Sequence, residues 1–311
     1  RTFAGGATPE RGDEDGFVCR LDPLTGAFVW CSYVGGTGPG GVLSVAMRGD
    51  VYVAFATAPG EDLHLDADYQ AAFAAGHRGT PQGADIVILQ LARTDGRFVA
   101  ATYAGGTGDE RGPASLTTDG GYVHLVAGTT SADVPTPNGF QTALSAGGDL
   151  FFTTYAPGLS GIVYGTYIGG SGDDEITGNA LAGWTDVETV VVVGITTTSR
   201  DLPFRNGIQA SPEPSGATGC GAGDIWYATI APTRVGDASL LTASYLGGTE
   251  GERLGGISAA ETSRVFALTG TTSSSTTFPV TTGRTTWLGP TCDVAPGAGE
   301  VFAARINVSY R

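Results

Sequence analysis

One short motif, Tyr-x-Gly-Gly, constrains the fold of this chain more than any other feature. Its copies begin at Tyr33, Tyr103, Tyr167 and Tyr245. Successive copies are therefore 70, 64 and 78 residues apart. A motif that returns at such a period is typical of a repeat architecture, in which one supersecondary unit is copied along the chain. We therefore expect residues 1–311 to form a single repeat domain, with residues 1–32 as the end of a partial preceding repeat.

The second repeat predicts four short strands. The first two are expected at 114–117 and 122–127, and the last two run through "DLFFTTYAP" and "GIVYGTYIGG". Pro135 and Pro137 exclude the irregular segment between the second and third strands from a central strand. Four strands per repeat without helical periodicity indicate an all-β fold, namely a β-propeller of about four to five four-stranded blades.

An acidic residue stands at the head of each predicted third strand. The five acids are Asp15, Asp85, Asp149, Asp224 and Glu300. Acids at strand ends commonly accept hydrogen bonds from nearby backbone amides, and position alone favours that interpretation. A ring of metal ligands or catalytic carboxylates is the alternative.

The repeats resemble the bacterial SBBP, or "beta-propeller repeat", family. The resemblance is carried by Tyr-x-Gly-Gly-x-Gly-Asp-Asp/Glu, then "VxxxGTTSxxxFP", then "GDxFxxxL", and it covers nearly the whole chain. Residues 169–175 and 270–273, with Phe278-Pro279, match best, whereas the first copy, "GGTGPGG", has no acids. The resemblance implies an extracellular binding or structural role and implies no reaction.

The ends of the repeat array leave the closure of the ring open. Residues 1–32 supply a third and a fourth strand, and residues 254–307 supply a first, a second and a third. A terminal strand either completes a blade from both ends of the chain or pairs with another subunit. A longer natural chain that extends beyond residue 1 is a further alternative.

The charge of the chain restricts its partners. Net charge is −15, and all 16 basic residues are Arg. An acidic surface disfavours nucleic acid and anionic membranes, and no apolar run is long enough to predict a transmembrane helix. We expect other protein subunits, in a homo-oligomer or filament, or surface glycans as partners.

The four cysteines suggest two disulfides. Cys19 and Cys31 flank a predicted turn, so antiparallel pairing across it would place their sulfurs opposite each other. Cys220 and Cys292 lie in Gly/Pro-rich loops at matching places in neighbouring repeats. Disulfides favour a secreted or cell-surface location, and four free thiols in a cytosolic protein are the alternative.

The acidic turns raise the question of a cofactor. Calcium is the candidate, because its ligands are oxygens and glycines let the backbone wrap an ion. The possible ligands are Asp109, Glu110, Asp173, Asp174 and Glu175. A solvated acidic turn without any cofactor is the competing interpretation. A phosphate loop is excluded because no Gly-Lys-Ser/Thr is present.

No catalytic residues are assigned. His64 and His77 lie in the divergent first repeat without a partner set for zinc, and His124 is expected to be a packed or surface residue. Trp184 and Trp287 lie in loop-like contexts and are the candidates for stacking on a sugar, whereas Trp226 is expected in the core.

The predicted function is therefore a non-catalytic extracellular module for adhesion, matrix or filament assembly that acts through multivalent surface contacts. A carbohydrate-binding lectin is the first alternative, and an extracellular hydrolase or lyase acting on polysaccharide or peptide is the second.

Overall fold

The computed structural model describes residues 16–35, 41–56, 84–110, 112–119, 121–146, 148–185, 188–213, 223–260, 265–274, 278–279 and 300–307. These residues form strands and two short 3₁₀ turns, at Pro157–Leu159 and Gly236–Ser239. The predicted all-β class is confirmed. Within the described residues, no helix has the length and apolar character needed to cross a membrane.

The strands fall into five sheets in chain order. The first is a hairpin of β1 (Gly16–Leu21) and β2 (Phe28–Val34). The second contains β3 (Val42–Arg48), β4 (Asp50–Ala56), β5 (Ile86–Leu91) and β6 (Phe98–Ala104). The third contains β7 (Ala114–Asp119), β8 (Tyr122–Thr129), β9 (Asp149–Tyr155) and β10 (Ile162–Ile168).

The last two sheets continue the same pattern. The fourth contains β12 (Leu181–Thr185), β13 (Thr189–Thr197), β14 (Asp224–Ile230) and β15 (Leu240–Leu246), and the two-residue strand β11 (Asp174–Glu175) also pairs with β13. The fifth contains β16 (Glu252–Ala259), β17 (Val265–Thr272) and β18 (Glu300–Asn307). Each complete sheet is thus a meander in which consecutive strands are neighbours, as the repeat predicts.

The middle strands of the sheets are buried on both faces. Every residue of β5, β9 and β14 is buried, and Val190, Val191, Val192 and Val193 of β13 are fully inaccessible. Their continuous apolar runs, in place of strict alternation, follow from this two-sided burial. Burial of an apolar side chain contributes roughly 1.5–3 kcal/mol, so these strands supply a large part of the hydrophobic stabilisation.

The chain divides into two compact units. Unit 1 consists of Arg1–Pro137 and Phe151–Thr166, and unit 2 consists of Asn138–Leu150 and Tyr167–Arg311. In unit 1, β3 lies against β7, and Leu116 N donates to Ser44 Oγ at 3.0 Å. In unit 2, β12 lies against β16, and Asn179 Nδ2 donates to Ile257 O at 3.0 Å. In both units, the first strand of one sheet therefore contacts the first strand of the next.

The Cys19–Cys31 disulfide is confirmed. The two residues are register partners in the β1–β2 hairpin, and their sulfurs lie 1.99 Å apart. Next to it, Trp30 is 1% exposed and its Nε1 donates to Arg93 O at 3.0 Å. Cys220 and Cys292 lie outside the described residues, so their predicted pairing stays a prediction.

Candidate functional site

Each of the Tyr-x-Gly-Gly turns after β6, β10 and β15 contains a buried acid at the same position. It stands seven residues after the motif tyrosine in each turn, as Glu110, Asp174 and Glu252. Their exposed fractions are 0%, 6% and 1%. Because a buried carboxylate is costly unless it is hydrogen-bonded, the bonding of these acids decides what the turn can do.

Hydroxyl groups from the end of the second strand satisfy each buried acid. Glu110 Oε1 accepts hydrogen bonds from Thr129 Oγ1 at 2.6 Å and Ser131 Oγ at 2.5 Å. Thr197 and Ser199 donate in the same way to Asp174, at 2.5 and 3.0 Å. The Thr-x-Ser sequence, which begins at the last residue of β8 and of β13, thus bonds directly to the turn.

The fourth repeat preserves this arrangement. Thr272 Oγ1 donates to Glu252 Oε1 at 2.5 Å. The backbone N–H of the second glycine also donates to the buried acid, as in Gly248 to Glu252 Oε2 at 3.0 Å and Gly170 to Asp174 Oδ2 at 3.0 Å. The acid therefore ties the turn between two repeats to the second strand of the later one.

The acid at the head of the third strand lies beside this buried acid. A Cβ atom on Gly105 would clash with Glu110 Oε2 and lie 3.1 Å from Asp85 Oδ1. Burial, together with Glu110, raises the pKa of Asp85 to about 7. Burial, followed by the charge of Glu252, likewise raises the pKa of Asp224 to about 7.

The turn after β10 has the same two acids, Asp149 from the second repeat and Asp174 from the third. Burial raises the pKa of Asp174 to about 6, with a further contribution from the charge of Asp149. Burial also raises the pKa of Asp149, against the backbone hydrogen bond from Ser145 N at 2.5 Å. Each of the three described turns therefore holds two buried carboxyl groups.

The head acids are only partly explained by the predicted strand-start hydrogen bond. Asp149 and Asp224 each accept one from a backbone amide, of Ser145 and Glu213 respectively. Asp149 Oδ1 and Asp224 Oδ2 are buried without a hydrogen bond to any described residue. Asp15 lies outside the described residues, and the side chain of Glu300 is not described.

The five possible calcium ligands separate into different environments. Glu110 and Asp174 belong to the buried hydroxyl network, whereas Asp173 and Glu175 are exposed. Glu175 lies 3.6 Å from Arg253, and Asp109 Oδ1 accepts from Ala84 N at 3.0 Å. Within the described ranges, no group of three or more His, Cys, Asp and Glu side chains is arranged to hold a metal ion.

The sequence prediction overlooked a further acid that recurs in the second and third repeats, as Asp133 and Asp201. Asp201 Oδ1 accepts from Ser171 N at 2.8 Å and Ser171 Oγ at 3.0 Å, and Asp133 Oδ1 accepts identically from Thr107. The signal was present, because each acid stands two residues after the serine that bonds the buried acid and two before a proline. Backbone hydrogen bonding from Ser171 lowers the pKa of Asp201, which keeps it ionised.

A hydroxyl, an imidazole and a carboxylate form a chain inside unit 1. Thr154 Oγ1 lies 2.9 Å from His124 Nδ1, and His124 Nε2 lies 2.7 Å from Asp119 Oδ1. None of the three is more than 1% exposed. A nucleophile must reach its substrate, so this order of groups is a packed polar network joining β7, β8 and β9. His124 is thus a packed residue, and His64 and His77 lie outside the described residues.

The structure does not describe the side chain of either tryptophan predicted to stack on a sugar. Trp184 belongs to β12, where it pairs with Val190, but its side chain is not described. Trp287 lies outside the described residues. Trp226 is fully buried as predicted, and its Nε1 donates to Pro203 O at 3.0 Å.

An open groove of about 450 Å³ lies on the surface of unit 2. It is lined by the segment 140–145, by the turn glycines Gly169 and Gly170, by Asp201 and Pro203, and by Asp237 and Leu240. Tyr245 fixes one side, because its hydroxyl donates to Ser199 O and accepts from Leu202 N, both at 3.0 Å. Gln141 Nε2 fixes another by donating to Gly169 O at 3.1 Å.

Comparison with known proteins found no family model and no curated protein that matches this chain. The resemblance to SBBP repeats therefore stays a prediction from the motifs.

Proposed function

We propose that this chain is a non-catalytic binding and structural module that works outside the cell through multivalent surface contacts. The supporting observation is that the repeated acids and hydroxyls bond to one another inside three successive turns. Acids and hydroxyls that hydrogen-bond to one another stabilise the scaffold, and the surfaces of the loops are then left to contact partners. The fitting partners are further protein subunits, in a homo-oligomer or filament, or surface glycans.

The scaffold in this proposal is a β-propeller of four to five blades. The first strands β3 and β7 contact each other in unit 1, and so do β12 and β16 in unit 2. Inner strands of adjacent blades make this contact when four-stranded sheets are arranged radially. Two-sided burial of β5, β9 and β14 is consistent with sheets that pack face to face.

An extracellular location is part of the proposal. The Cys19–Cys31 bond closes the β1–β2 hairpin, and disulfides persist in oxidising compartments, whereas cytosolic reductants remove them. A net charge of −15 keeps copies of the chain apart in solution unless specific contacts overcome the repulsion.

Light scattering after size-exclusion chromatography, followed by electron microscopy, tests the assembly role. We expect oligomers of defined stoichiometry or ordered filaments. A monomer at all concentrations, without attachment to glycan-coated or protein-coated surfaces, would contradict the proposal.

The rival hydrolase or lyase is tested by turnover. It requires release of product from polysaccharide or peptide substrates, abolished when a loop carboxylate or histidine is replaced. The burial of Thr154, His124 and Asp119 argues against that arrangement as a centre. Product formation sensitive to such a replacement would overturn the non-catalytic role.

The groove of unit 2 favours a lectin as the second candidate. Its lining combines apolar side chains with exposed carboxylates and hydroxyls. Saturable binding on a glycan array would support this function.

A further inference from the structure

The charged side chains that line the groove of unit 2 are all acidic. Asp201 and Asp237 are both exposed, and the lining residues include no arginine or histidine. The neighbouring Arg205 is directed to the backbone, since its Nη1 donates to Asp237 O. Anionic ligands, such as phosphates and acidic sugars, would be repelled here.

The same lining contains flat and apolar surfaces. Phe140 and Pro203 are half-buried, and Leu240 lies beside them at 6% exposure. A metal ion or a small amine gains little from such surfaces. A pyranose does, because its C–H face packs against rings while its hydroxyls point to polar groups.

The polar groups of the groove suit hydroxyls better than cations. Carboxylates accept only, whereas the exposed hydroxyl of Thr142 can both accept and donate. The hydroxyl of Ser145 already donates to Gly169 O at 3.3 Å and accepts from Gln141 Nε2 at 3.0 Å. Sugar hydroxyls can hydrogen-bond both to acceptors and to donors, but ammonium and guanidinium groups only donate. The volume of about 450 Å³ lies within the range of small-molecule sites.

We propose that this groove binds a neutral saccharide, with Phe140 and Pro203 against the sugar ring and the carboxylates of Asp201 and Asp237 accepting hydrogen bonds from its hydroxyls. This inference rests on the proposed non-catalytic binding function and names its ligand class and site.

The repeats supply matched control residues. Asp133 holds Thr107 through the same two hydrogen bonds with which Asp201 holds Ser171, but Asp133 does not line the groove. Ile208 occupies the position of Phe140 in the sequence Asn-Gly-x-Gln, and it is 66% exposed outside the groove. An effect of losing the turn hydrogen bonds should be common to the Asp133 and Asp201 variants, and Ile208 controls for truncation of the side chain before Gln in this sequence.

The test measures binding of soluble neutral oligosaccharides of glucose, mannose and galactose by calorimetry. We expect saturable binding of at least one of them, weakened tenfold or more by Phe140→Ala and by Asp201→Asn. Ile208→Ala and Asp133→Asn should leave the Kd within twofold. Thermal unfolding of all four variants checks that the groove variants remain folded.

The outcomes separate the site from the function. Absence of neutral saccharide binding, or binding that is equally affected in both variants of a pair, overturns the groove proposal. Binding of an Arg- or Lys-rich peptide in place of sugars, lost in the groove variants, also overturns it. Cleavage of a bound oligosaccharide would support the groove as a binding site but refute the non-catalytic function. Ordered oligomers without sugar binding would support the structural function but refute the groove proposal.

Discussion

Asp224 and Glu252 converge on a single glycine: a Cβ atom placed on Gly247 would lie 2.7 Å from both Asp224 Oδ1 and Glu252 Oε2. Asp85 and Glu110 approach Gly105 in the same manner. Two carboxylates in such buried proximity cannot both ionise without a large energetic cost. We therefore expect the acid pairs beside Gly105 and Gly247 to share a proton below about pH 7, and the predictions about stability that follow depend on it.

The pH dependence of stability is the first prediction. The pKa is about 7 for Asp85 and Asp224 and about 6 for Asp174, compared with an ordinary value of 3.8. The unfolded chain loses these protons near pH 4, whereas the folded protein retains them. Stability contributed by the protonated acids is therefore present below pH 4 and is lost as the pH rises to about 7.

Urea unfolding between pH 5 and pH 8 measures this effect. One pKa unit corresponds to about 1.4 kcal/mol, and coupling and partial solvation reduce each contribution, so we expect a loss on the order of 2 kcal/mol over this range. A free energy of unfolding that increases from pH 5 to pH 8 would contradict the prediction.

Replacing Asp224 by asparagine should stabilise the protein at alkaline pH. The amide has the shape of the protonated acid and can donate to Glu252 without ionising. We expect Asp224→Asn to raise the free energy of unfolding at pH 8 by about 1 kcal/mol and to flatten its dependence on pH. Asp173→Asn, at an exposed acid, is the control and should change stability by less than about 0.5 kcal/mol. An equal loss at every pH in Asp224→Asn would count against a shared proton.

The hydroxyl of Thr197 should contribute substantially to the free energy of unfolding. Its Oγ1 donates to Asp174 Oδ1 and accepts from Ser199 N at 2.8 Å, so Thr197→Val leaves two buried polar groups short of a partner. We expect a loss of about 1–3 kcal/mol in the free energy of unfolding. Thr189→Val, at the half-buried start of the same strand, is the matched control and should be nearly neutral. Equal effects of the two substitutions in urea titrations would refute the role of this hydroxyl.

A methyl group on Gly247 should separate the acids. Because Asp224 and Glu252 occupy the space behind the Cα atom, Gly247→Ala should cost about 1–3 kcal/mol of stability. At Gly161, by contrast, a Cβ atom would meet nothing within 4 Å, so Gly161→Ala should be tolerated. Thermal unfolding of both variants decides the point, and unchanged midpoints in both would show that the turn is loosely packed.

The Cys19–Cys31 bond should stabilise the first hairpin. The residues are 12 positions apart, and closing a loop of this length contributes about 3 kcal/mol in the chain-entropy model. The double variant Cys19→Ser, Cys31→Ser should therefore unfold at lower urea concentration, followed through tryptophan fluorescence, to which the buried Trp30 of the same hairpin contributes. The variant is preferable to a reductant, which would act on every cysteine. An unchanged midpoint would mean that the hairpin is held by β-pairing alone.

Several features could be predicted from local sequence. The period of Tyr-x-Gly-Gly, the glycine turns and the apolar runs predicted the strands of the second repeat, which are observed as β7 to β10. The spacing of Cys19 and Cys31 across a turn predicted their pairing. These properties depend on residues that are neighbours in the chain, or on pairing across one turn.

The groove and the paired acids could not be predicted in this way. Asp85 and Glu110 are 25 residues apart, and the groove brings together segments from 140 to 240. Their proximity depends on how the turns and the long irregular segments pack, which is a property of the tertiary structure.

By itself, the sequence determined the all-β class, the repeat and the first disulfide, because strand period, turn residues and short-range pairing are local. Only the tertiary structure decided that the turn acids lie buried in pairs and that Asp201 borders a groove. Burial and electrostatic coupling arise between residues far apart in the chain, and they exist only after the sheets have packed.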